Sequence, residues 1–441
     1  MSESILTNKI RFVVKPGGVL RGSIRVPGDK SISHRSIMLG SLANGVTQIS
    51  GFLEGDDSLA TLKAFRTMGV TIDGPHDGRV TVHGVGMHGL QQPSVALDVG
   101  NSGTSMRLLC GLLAGQGMNL TLTGDASLSS RPMRRVTEPL SSMGAAIDTT
   151  EIGTAPLHIK AVGHLDPIHY QLPVASAQVK SCVLLAGLYA QGESCVVEPA
   201  PTRDHTERML RGFGYTVTTD GNRICLDGGG ALTATTIDVP ADISSAAFFL
   251  VGASIAPGSD LTLRHVGMNP TRIGVINILR QMGASIEISN QLEIGGEPVA
   301  DLRVRGAGLK GIHIPESQVP LAIDEFPVLF VAAACAQGET VLTGAEELRV
   351  KESDRIQVMA DGLQSLGIDA TPTADGMVIR GGNMRGGRVD SHGDHRIAMA
   401  FAIAALRADG EIEIDDCANV DTSFPGFADL VNSIGMTLEV R

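Results

Sequence analysis

Apolar and small residues recur at helical spacing in six separate stretches of the chain. In each stretch they surround most of the helix rather than one face, and the pattern therefore predicts helices that are buried on all sides. Six helices of one kind along a single chain indicate an internal repeat. The six stretches are residues 33–43, 104–114, 177–190, 244–255, 326–336 and 396–406.

A second helix pattern follows each of these stretches and stops at an apolar residue followed by glycine. Glycine is the usual residue after a helix, because it enters the left-handed backbone region without a steric cost. Short strand-like runs come next, as in residues 70–72 and 284–288. Each repeat is thus predicted to contain two helices and several strands. The six apolar-glycine pairs are Met68-Gly69, Met143-Gly144, Phe213-Gly214, Met282-Gly283, Leu366-Gly367 and Ile434-Gly435.

The length of the chain predicts more than one domain. Its 441 residues exceed the size at which a single core stops growing, about 250–300 residues. We therefore expect two lobes of three repeats each, with the apolar helices inside and the sheets outside. The first lobe is predicted over residues 1–27 and 241–441 and the second over 28–240. Hinge crossings are predicted near residues 25–29 and 238–242, where a proline interrupts a strand-like run.

Composition narrows the possible partners and the compartment. The net charge of −12 argues against general binding to nucleic acid or an anionic membrane, because such binding needs a broad basic surface. No apolar run is long enough to span a bilayer, and residues 1–9 lack the apolar core of a signal peptide. The six cysteines contain no Cys-x-x-Cys pair, which predicts free thiols in a reducing compartment. We therefore expect a cytoplasmic protein without nucleic-acid or membrane partners.

Several of the predicted helices begin with hydroxyl, amide and basic side chains. Residues 27–35 read Pro-Gly-Asp-Lys-Ser-Ile-Ser-His-Arg, 100–107 read Gly-Asn-Ser-Gly-Thr-Ser-Met-Arg, and 176–180 read Ser-Ala-Gln-Val-Lys. Backbone N–H groups and the helix dipole make a helix start attractive to anions, and Lys or Arg adds to this attraction. Ordinary capping explains each Ser or Asp equally well, but it does not explain the basic residues. The pattern favours a site for an anionic ligand, with capping as the alternative.

Other motif matches have weaker support from their surroundings. Residues 84–89 fit the Gly-x-Gly-x-x-Gly dinucleotide pattern, but no helix pattern follows them. The pair Lys30-Ser31 lacks the upstream glycines of a P-loop. His392 and His395 have no obvious further ligands nearby, and no metal site is predicted. The charged segment 349–355 would in isolation be typical of a solvent-exposed, salt-bridged helix face.

Taken together and in order, these segments resemble the 5-enolpyruvylshikimate-3-phosphate (EPSP) synthases. The resemblance implies a two-lobed inside-out α/β barrel of six βαβαββ repeats, three in each lobe. It also implies transfer of the enolpyruvyl group of phosphoenolpyruvate to the 5-hydroxyl of shikimate-3-phosphate, by a monomer without a metal or an organic cofactor. The segments that carry the resemblance are 27–35, 100–104, 131–133 (Arg-Pro-Met), 176–178, 351–355 (Lys-Glu-Ser-Asp-Arg) and 394–396 (Asp-His-Arg), within a likeness from about residue 12 to the C-terminus.

The resemblance also implies roles for individual residues. Asp324 would take the proton from the attacking 5-hydroxyl, and Glu352, with Lys30 near, would protonate the methylene carbon of phosphoenolpyruvate. Guanidinium groups suit these anions, because they bind carboxylate and phosphate through two parallel hydrogen bonds. The residues implied to hold shikimate-3-phosphate are Lys30, Ser31, Arg35, Ser176, Ala177, Gln178, Arg203, Asp324 and Lys351. Those implied to surround phosphoenolpyruvate are Lys30, Gly103, Arg131, Gln178, Arg355 and Arg396.

The chain departs from particular branches of the family at two places. Residues 202–207 resemble the branch with members that tolerate the inhibitor glyphosate, whereas Gly103 stands where tolerant members often carry alanine. In the other branch a lysine precedes the Thr-Phe-Pro of the last loop, and here Asp421-Thr422-Ser423-Phe424-Pro425 lacks that cation.

Two other functions are alternatives to this interpretation. A UDP-N-acetylglucosamine enolpyruvyl transferase would have asparagine after its lysine and a loop cysteine, whereas Ser31 follows Lys30 here and residues 127–133 contain no cysteine. A non-catalytic protein that binds anionic metabolites is the second alternative. The presence of Asp324, Glu352 and Lys30 argues against it.

Overall fold

A computed structural model describes residues 10–441, and the predictions made for residues 1–9 lie outside this range. Within it the chain forms two compact units. Unit 1 contains the described residues up to Pro27 together with Ala241–Leu292 and Val299–Arg441, and unit 2 contains Gly28–Pro240 and Glu293–Pro298. The assignment of Glu293–Pro298 to unit 2 has no counterpart in the sequence-based boundaries. No helix in the described part of the chain is long and apolar enough to cross a membrane.

The helices alternate as the repeat pattern predicts. The six all-apolar stretches correspond to α1, α3, α6, α8, α11 and α13 among the helices of residues 10–441. These helices are α1 Lys30–Leu42, α2 Asp56–Thr67, α3 Gly103–Ala114, α4 Ala126–Ser129, α5 Arg134–Ser142, α6 Ala177–Gly187, α7 His205–Gly212, α8 Ile243–Ile255, α9 Gly274–Gln281, α10 Val319–Ala322, α11 Phe326–Ala334, α12 Arg355–Ser365, α13 His395–Ala404 and α14 Phe427–Ser433. Short 3₁₀ turns lie at Glu316–Gln318, Glu346–Val350, Ala405–Arg407 and Ala418–Thr422.

The strands of residues 10–441 form six sheets. They are β1 Phe12–Val14, β2 Arg21–Ile24, β3 Ala43–Ser50, β4 Thr71–His76, β5 Arg79–Val85, β6 Leu97–Asp98, β7 Leu120–Thr123, β8 Ala146–Asp148, β9 Leu157–Lys160, β10 His169–Gln171, β11 Glu193–Val197, β12 Thr218–Asp220, β13 Arg223–Asp227, β14 Leu232–Thr233, β15 Thr236–Asp238, β16 Asp260–Gly267, β17 Ser285–Ile294, β18 Glu297–Arg305, β19 Glu339–Leu342, β20 Asp369–Pro372, β21 Met377–Arg380, β22 Gly387–Asp390, β23 Ile412–Asp415 and β24 Leu438–Val440.

The three sheets of unit 2 share one strand order. They are β6-β7-β9-β8, β10-β11-β13-β12 and β14-β3-β5-β4, with β15 also beside β3. In each of these orders the first pair is parallel and the others are antiparallel, and the additional pair of β15 with β3 is parallel. Strands β14 and β15 come from the far end of the unit's sequence and complete the sheet of its first repeat. This shared strand order shows that the predicted repeat in the sequence corresponds to a repeated sheet in the structure.

Two of the three sheets of unit 1 are completed by strands from the N-terminal segment of the chain. The three sheets are β17-β18-β16-β2, β19-β21-β20 and β22-β23-β1-β24. Strand β2 pairs in parallel with β16, and β1 lies between β23 and β24, antiparallel to both. Two strands that precede unit 2 in sequence therefore belong to sheets whose other strands follow it.

Each unit has its own hydrophobic core, built around the all-apolar helices. All residues of α8 and α11 are buried in unit 1, and α3 packs against α6 in unit 2. One cluster of buried apolar side chains is confined to unit 1 and the other to unit 2. The predicted mixed α/β class, with apolar helices inside, is confirmed.

The predicted helix-stopping glycines all lie in the left-handed region of backbone conformation. Their φ values range from 81° to 116°, at Gly69, Gly144, Gly214, Gly283, Gly367 and Gly435. The start of α1 was predicted three residues too late, because the carboxylate of Asp29 accepts a hydrogen bond of 2.9 Å from the backbone N–H of Ile32 and caps the helix earlier.

The prediction of free thiols is wrong for two of the six cysteines. Cys195 in β11 and Cys225 in β13 lie directly opposite each other in the antiparallel register and are joined by a disulfide bond. Strand register is a tertiary property that cysteine spacing in the sequence does not reveal. The cysteines that remain free are Cys110, Cys182, Cys335 and Cys417.

Candidate functional site

In unit 2 the start of α1 presents a lysine that is held by a carboxylate. Lys30 is the first residue of the helix, and its Nζ lies 3.0 Å from Oδ2 of Asp57 in the first turn of α2. Both side chains are largely buried. The ion pair therefore fixes the position of the ammonium beside Ser31.

Arg35 lies one turn further along α1 and is buried, but its bonded partners are neutral. Its guanidinium donates from Nε to Thr206 Oγ1 at 2.7 Å, from Nη1 to the Ser31 carbonyl at 2.9 Å, and from Nη2 to Ser181 Oγ at 2.9 Å. Burial lowers the pKa of Arg35 to about 10; Glu207 opposes this shift and Arg203 adds to it. The guanidinium thus keeps a positive charge that no hydrogen-bonded carboxylate cancels.

At the start of α3, a glycine leaves room for an arginine. Arg131 donates from Nη2 to Asn101 Oδ1 at 2.8 Å and to Ser127 Oγ at 3.2 Å. A Cβ atom on Gly103 would lie 3.2 Å from Nη1 of Arg131 and 2.8 Å from Nη1 of Arg107. Arg131 therefore extends across the first turn of α3, with uncharged hydrogen-bond partners.

The start of α6 is tied to the start of α3 through one amide. Ser176 caps α6 by accepting from the backbone N–H of Val179. Gln178 Oε1 accepts from Arg107 Nη1 at 2.7 Å, and its Nε2 donates to Thr104 Oγ1 at 3.1 Å. Arg107 is one of the basic residues that the sequence places at a helix start, but neither substrate was assigned to it.

A buried histidine completes the connection between these helix starts. Nδ1 of His34 in α1 lies 2.7 Å from Thr61 Oγ1 in α2 and 3.3 Å from Ser105 Oγ in α3. Burial lowers the pKa of His34 well below its ordinary value of 6.5, and Lys30 and Arg35 lower it further. Unit 2 therefore brings together, at three linked helix starts, the predicted residues from α1, α3 and α6.

In unit 1 the predicted residues collect around a buried arginine. Arg355 is the first residue of α12, and its Nε donates to Asp394 Oδ2 at 2.8 Å. Its Nη2 donates to Glu352 Oε2 at 2.6 Å, and its Nη1 lies 3.4 Å from Asp324 Oδ1. Burial alone would lower the pKa of Arg355, but the carboxylates of Asp394, Glu352 and Asp324 outweigh it and raise the pKa above its ordinary value. The two carboxylates implied for proton transfer thus share one guanidinium.

The remaining basic residues of this cluster differ in how far they are neutralised. Lys351 Nζ lies 3.4 Å from Asp324 Oδ1. Asp394 caps α13 by accepting a hydrogen bond of 2.9 Å from the backbone N–H of Arg396. The guanidinium of Arg396 has no hydrogen bond or ion pair with the residues from 10 to 441. Of the two phosphoenolpyruvate arginines implied in unit 1, Arg396 is the one with uncommitted donors.

The position of the missing family lysine lies beside the start of α13. Thr422 Oγ1 donates to the Asn419 carbonyl at 2.7 Å, and the Asn419 amide donates to the Gly393 carbonyl at 2.7 Å. These contacts are between uncharged groups.

One group of possible metal ligands occurs within residues 10–441, and its surroundings do not suit a cation. It consists of His169, Glu193 and Cys195. The sulfur of Cys195 is bonded to Cys225, and Arg223 Nη2 lies 3.2 Å from that sulfur and 3.5 Å from Glu193 Oε2. A guanidinium in this position repels a metal ion, and a disulfide sulfur is not a thiolate ligand.

The whole chain is similar to proteins of one family. The family model described as EPSP synthase (3-phosphoshikimate 1-carboxyvinyltransferase) matches residues 14–431. The chain is 71% identical to 3-phosphoshikimate 1-carboxyvinyltransferase of Methylococcus capsulatus over 429 residues, which are 97% of this chain and 98% of that protein. It is 70% identical to the protein of the same name from Alkalilimnicola ehrlichii, over 97% of this chain and 96% of that protein. The solved EPSP synthase from Acinetobacter baumannii matches with a TM-score of 0.90 and 60% identity, over 98% of this chain and 100% of that chain.

Proposed function

The chain belongs to the EPSP synthase family, and we propose that the two residue clusters described above act on its two substrates. The enzyme transfers the enolpyruvyl group of phosphoenolpyruvate to the 5-hydroxyl of shikimate-3-phosphate and releases phosphate. Both substrates are anions, and the predicted residues supply cations and helix starts to receive them.

The reaction requires two proton transfers before phosphate leaves. The 5-hydroxyl loses its proton as its oxygen attacks C2 of phosphoenolpyruvate, and C3 gains a proton to become a methyl group. The product of this addition is a tetrahedral intermediate. Loss of phosphate from C2 and of a proton from the methyl group then restores the double bond as an enol ether.

In this proposal shikimate-3-phosphate is held mainly by the helix starts of unit 2. Lys30, Arg35 and Arg203 are the cations of unit 2 in this set. The hydrogen-bonding groups are those of Ser31, Ser176, Ala177 and Gln178. Support comes from the neutral partners of Arg35, which leave its positive charge available to a phosphate or carboxylate. Lys351 and Asp324 of unit 1 complete the proposed set for this substrate.

Phosphoenolpyruvate is assigned to three arginines, two of which bond no carboxylate within residues 10–441. The guanidinium of Arg131 is hydrogen-bonded to two uncharged side chains, those of Asn101 and Ser127. The guanidinium of Arg396 has no hydrogen bond with the described residues. Arg355, Lys30, Gly103 and Gln178 belong to the same proposed set. Positive groups placed where charge develops lower the barrier in a water-poor site, which is the task that a metal ion performs in other transferases.

The observation that carries the proposal is the contact of Asp324 and Glu352 with one guanidinium. Arg355 Nη1 lies 3.4 Å from Asp324 and its Nη2 lies 2.6 Å from Glu352, so the two carboxylates are held in one cluster of unit 1. We assign Asp324 as the base for the 5-hydroxyl and Glu352, with Lys30, as the acid for C3.

The remaining proposals concern assembly, location and inhibition. We propose a monomer that works in the cytoplasm without a metal or an organic cofactor. We also propose that glyphosate, which carries a phosphonate and a carboxylate, competes with phosphoenolpyruvate for the same arginines. Gly103 supports sensitivity to glyphosate, because a side chain at this position would contact the guanidinium of Arg131.

The test is phosphate release by purified, chelator-treated protein with phosphoenolpyruvate and one of two acceptors. Release that requires shikimate-3-phosphate and survives chelation supports the proposal. Release with UDP-N-acetylglucosamine alone would assign the chain to the sister transferase, and binding of either substrate without release would favour a non-catalytic protein. Parallel sedimentation at several protein concentrations tests the monomer.

A further inference from the structure

Lys180 is a buried lysine of α6 that has no role in the site proposed above. Its side chain is 1% exposed, and Nζ lies 3.0 Å from Glu198 Oε1 and 2.7 Å from Glu207 Oε1. It also donates to the carbonyl oxygen of Thr202 at 3.5 Å. Glu198 directly follows β11 and Glu207 lies in α7, so one ammonium joins three separate segments of unit 2.

Two of these segments lead directly to residues that we assign to shikimate-3-phosphate. Lys180 lies one turn after the Ser176 cap of α6, and its ammonium therefore anchors the turn that begins this helix. Residue 203 follows Thr202, whose carbonyl oxygen accepts from Lys180 and whose hydroxyl donates to Glu198. The backbone that carries Arg203 is thus fastened to Lys180 both directly and through Glu198.

The third segment reaches Arg35. Thr206 precedes Glu207 in α7 and accepts a hydrogen bond of 2.7 Å from Arg35 Nε. The Thr206 hydroxyl also donates to Ser181, the residue after Lys180, at 2.7 Å. The ion pair between Lys180 and Glu207 therefore fixes the position of Thr206, which binds the guanidinium of Arg35.

The cluster contains more carboxylates than cations. Two buried carboxylates face one ammonium, and Oε2 of Glu207 has no hydrogen-bond partner in the described chain. The surplus negative charge lies near Arg35, where Glu207 favours the charged guanidinium. Buried ion clusters of this kind add little stability compared with well-packed apolar residues, so geometry is the better explanation for the cluster.

We infer that Lys180 is a positioning residue for shikimate-3-phosphate. It does not touch the substrate; through Glu198, Thr202 and Glu207 it sets the relative positions of the α6 start, Arg203 and Arg35. This inference rests on the proposed function of these residues. Gln178, which is assigned to phosphoenolpyruvate, shares the start of α6 with Ser176. No arginine of the phosphoenolpyruvate set is hydrogen-bonded or ion-paired to Lys180, Glu198 or Glu207, and we therefore expect the larger effect on shikimate-3-phosphate.

The test separates positioning from stability with two variants. Lys180→Met leaves two carboxylates buried without their cation and lowers the melting temperature. The triple variant Lys180→Met, Glu198→Gln, Glu207→Gln removes all three charges at similar volume and recovers much of that loss. In both variants we expect the KM for shikimate-3-phosphate to rise about 10-fold or more, since small displacements of binding groups are costly. The KM for phosphoenolpyruvate, measured at saturating shikimate-3-phosphate, stays within about twofold on the same reasoning.

The outcome that overturns the inference is a folded triple variant with wild-type KM for shikimate-3-phosphate, whatever its melting temperature. Equal increases in both KM values would overturn it as well. If the triple variant does not fold, Glu198→Gln alone is measured by the same criterion, because it keeps the Lys180–Glu207 pair. Lys160→Met is the control, since Lys160 pairs with Asp148 on the surface of the same unit, and both KM values should be unchanged.

The failure of this inference is distinguishable from the failure of the proposed function. If the wild-type protein releases no phosphate with shikimate-3-phosphate, the function is wrong and the inference falls with it. If the wild-type protein is active and the variants keep their KM for shikimate-3-phosphate, only the role of Lys180 is wrong.

Discussion

Arg355 donates a hydrogen bond of 2.8 Å to Asp394, and their side chains are 1% and 0% exposed. Asp394 is also the cap of α13, two residues before Arg396. The pair therefore joins the start of α12 to the start of α13. We assign Arg355 and Arg396 to the same substrate, but their surroundings differ. Carboxylates enclose Arg355, whereas no carboxylate of residues 10–441 is bonded to the guanidinium of Arg396.

Replacing Arg355 by methionine should destabilise the protein as well as inactivate it. The change leaves the carboxylate of Asp394 buried without its cation, which costs about 3–5 kcal/mol of unfolding free energy. Urea unfolding followed by circular dichroism measures this loss. The control is Arg380→Met, which breaks an exposed pair with Glu339; it should cost at most about 1 kcal/mol. Similar losses in the two variants would contradict the buried-pair argument.

Replacing Arg396 by methionine should affect activity alone. Because its guanidinium has no partner within residues 10–441, the free energy of unfolding should change by at most about 0.5 kcal/mol. The value of kcat/KM for phosphoenolpyruvate should fall by a factor of about 30 or more, the lower end of the cost of removing a buried binding charge. Arg396→Lys should restore part of the loss. A stable variant with normal kinetics would remove Arg396 from the site.

An alanine at position 103 should weaken phosphoenolpyruvate and glyphosate together. Its methyl group would lie 2.8 Å from Nη1 of Arg107 and 3.2 Å from Nη1 of Arg131, so both guanidinium groups must shift. We expect a rise of about 10-fold to 100-fold in the KM for phosphoenolpyruvate and in the inhibition constant of glyphosate, with a smaller change for shikimate-3-phosphate. Gly163→Ala is the control, since a Cβ there meets no atom within 4 Å. Loss of glyphosate inhibition with an unchanged KM for phosphoenolpyruvate would argue against a shared arginine.

Asp324→Asn and Glu352→Gln should separate the two proton transfers. Each should lower kcat by a factor of about 10²–10⁴, the usual contribution of a general acid or base. Exchange of solvent deuterium into the methylene group of phosphoenolpyruvate, in the presence of shikimate-3-phosphate, should be lost in the Glu352 variant. In the Asp324 variant exchange should still occur, and the ratio of the exchange rate to the residual turnover rate should not fall. The opposite pattern would reverse the assignment.

The buried ring of His34 should make the protein less stable in mild acid. The pKa of His34 in the folded chain is lowered well below 6.5, because of burial and of the charges on Lys30 and Arg35. In the unfolded chain the ring binds a proton below about pH 6.5, so unfolding takes up a proton there. The free energy of unfolding should then fall with decreasing pH by up to about 1.4 kcal/mol per pH unit. Above that pH both states are neutral and this contribution is constant.

Urea unfolding of the wild-type protein and of His34→Gln, between about pH 5 and pH 8, measures this dependence. The variant should show a shallower slope than the wild-type protein. If His34→Gln leaves the slope unchanged, the acid sensitivity has another origin.

The repeat and the six inner helices were predictable because their signals are local. All-round apolarity marks α8 and α11, and a glycine in the left-handed region ends each second helix. The four-residue helices α4 and α10 were missed, since so short a segment has no periodicity. The disulfide between Cys195 and Cys225 depends on strand register, which is set by tertiary packing.

Motifs and the family resemblance identified the residues of the site but not their contacts. They identified Arg355 and Arg396, but they did not indicate that carboxylates surround Arg355 or that no carboxylate of the described residues is bonded to the Arg396 guanidinium. Lys180 was visible as a basic residue at a helix start, yet its partners Glu198 and Glu207 lie in later segments. Distant pairing of buried charges leaves no pattern in the sequence.

The sharing of strands between distant parts of the chain sets an order of folding during synthesis. Unit 2 can complete its three sheets once β15 has left the ribosome, whereas β1 and β2 wait for β16, β23 and β24. Domains generally fold as units as their chain becomes available. The unit to which the first described residues belong is therefore the last to be finished. A nascent chain that stops after unit 2 carries two strands with unpaired edges, the kind of surface on which chains aggregate.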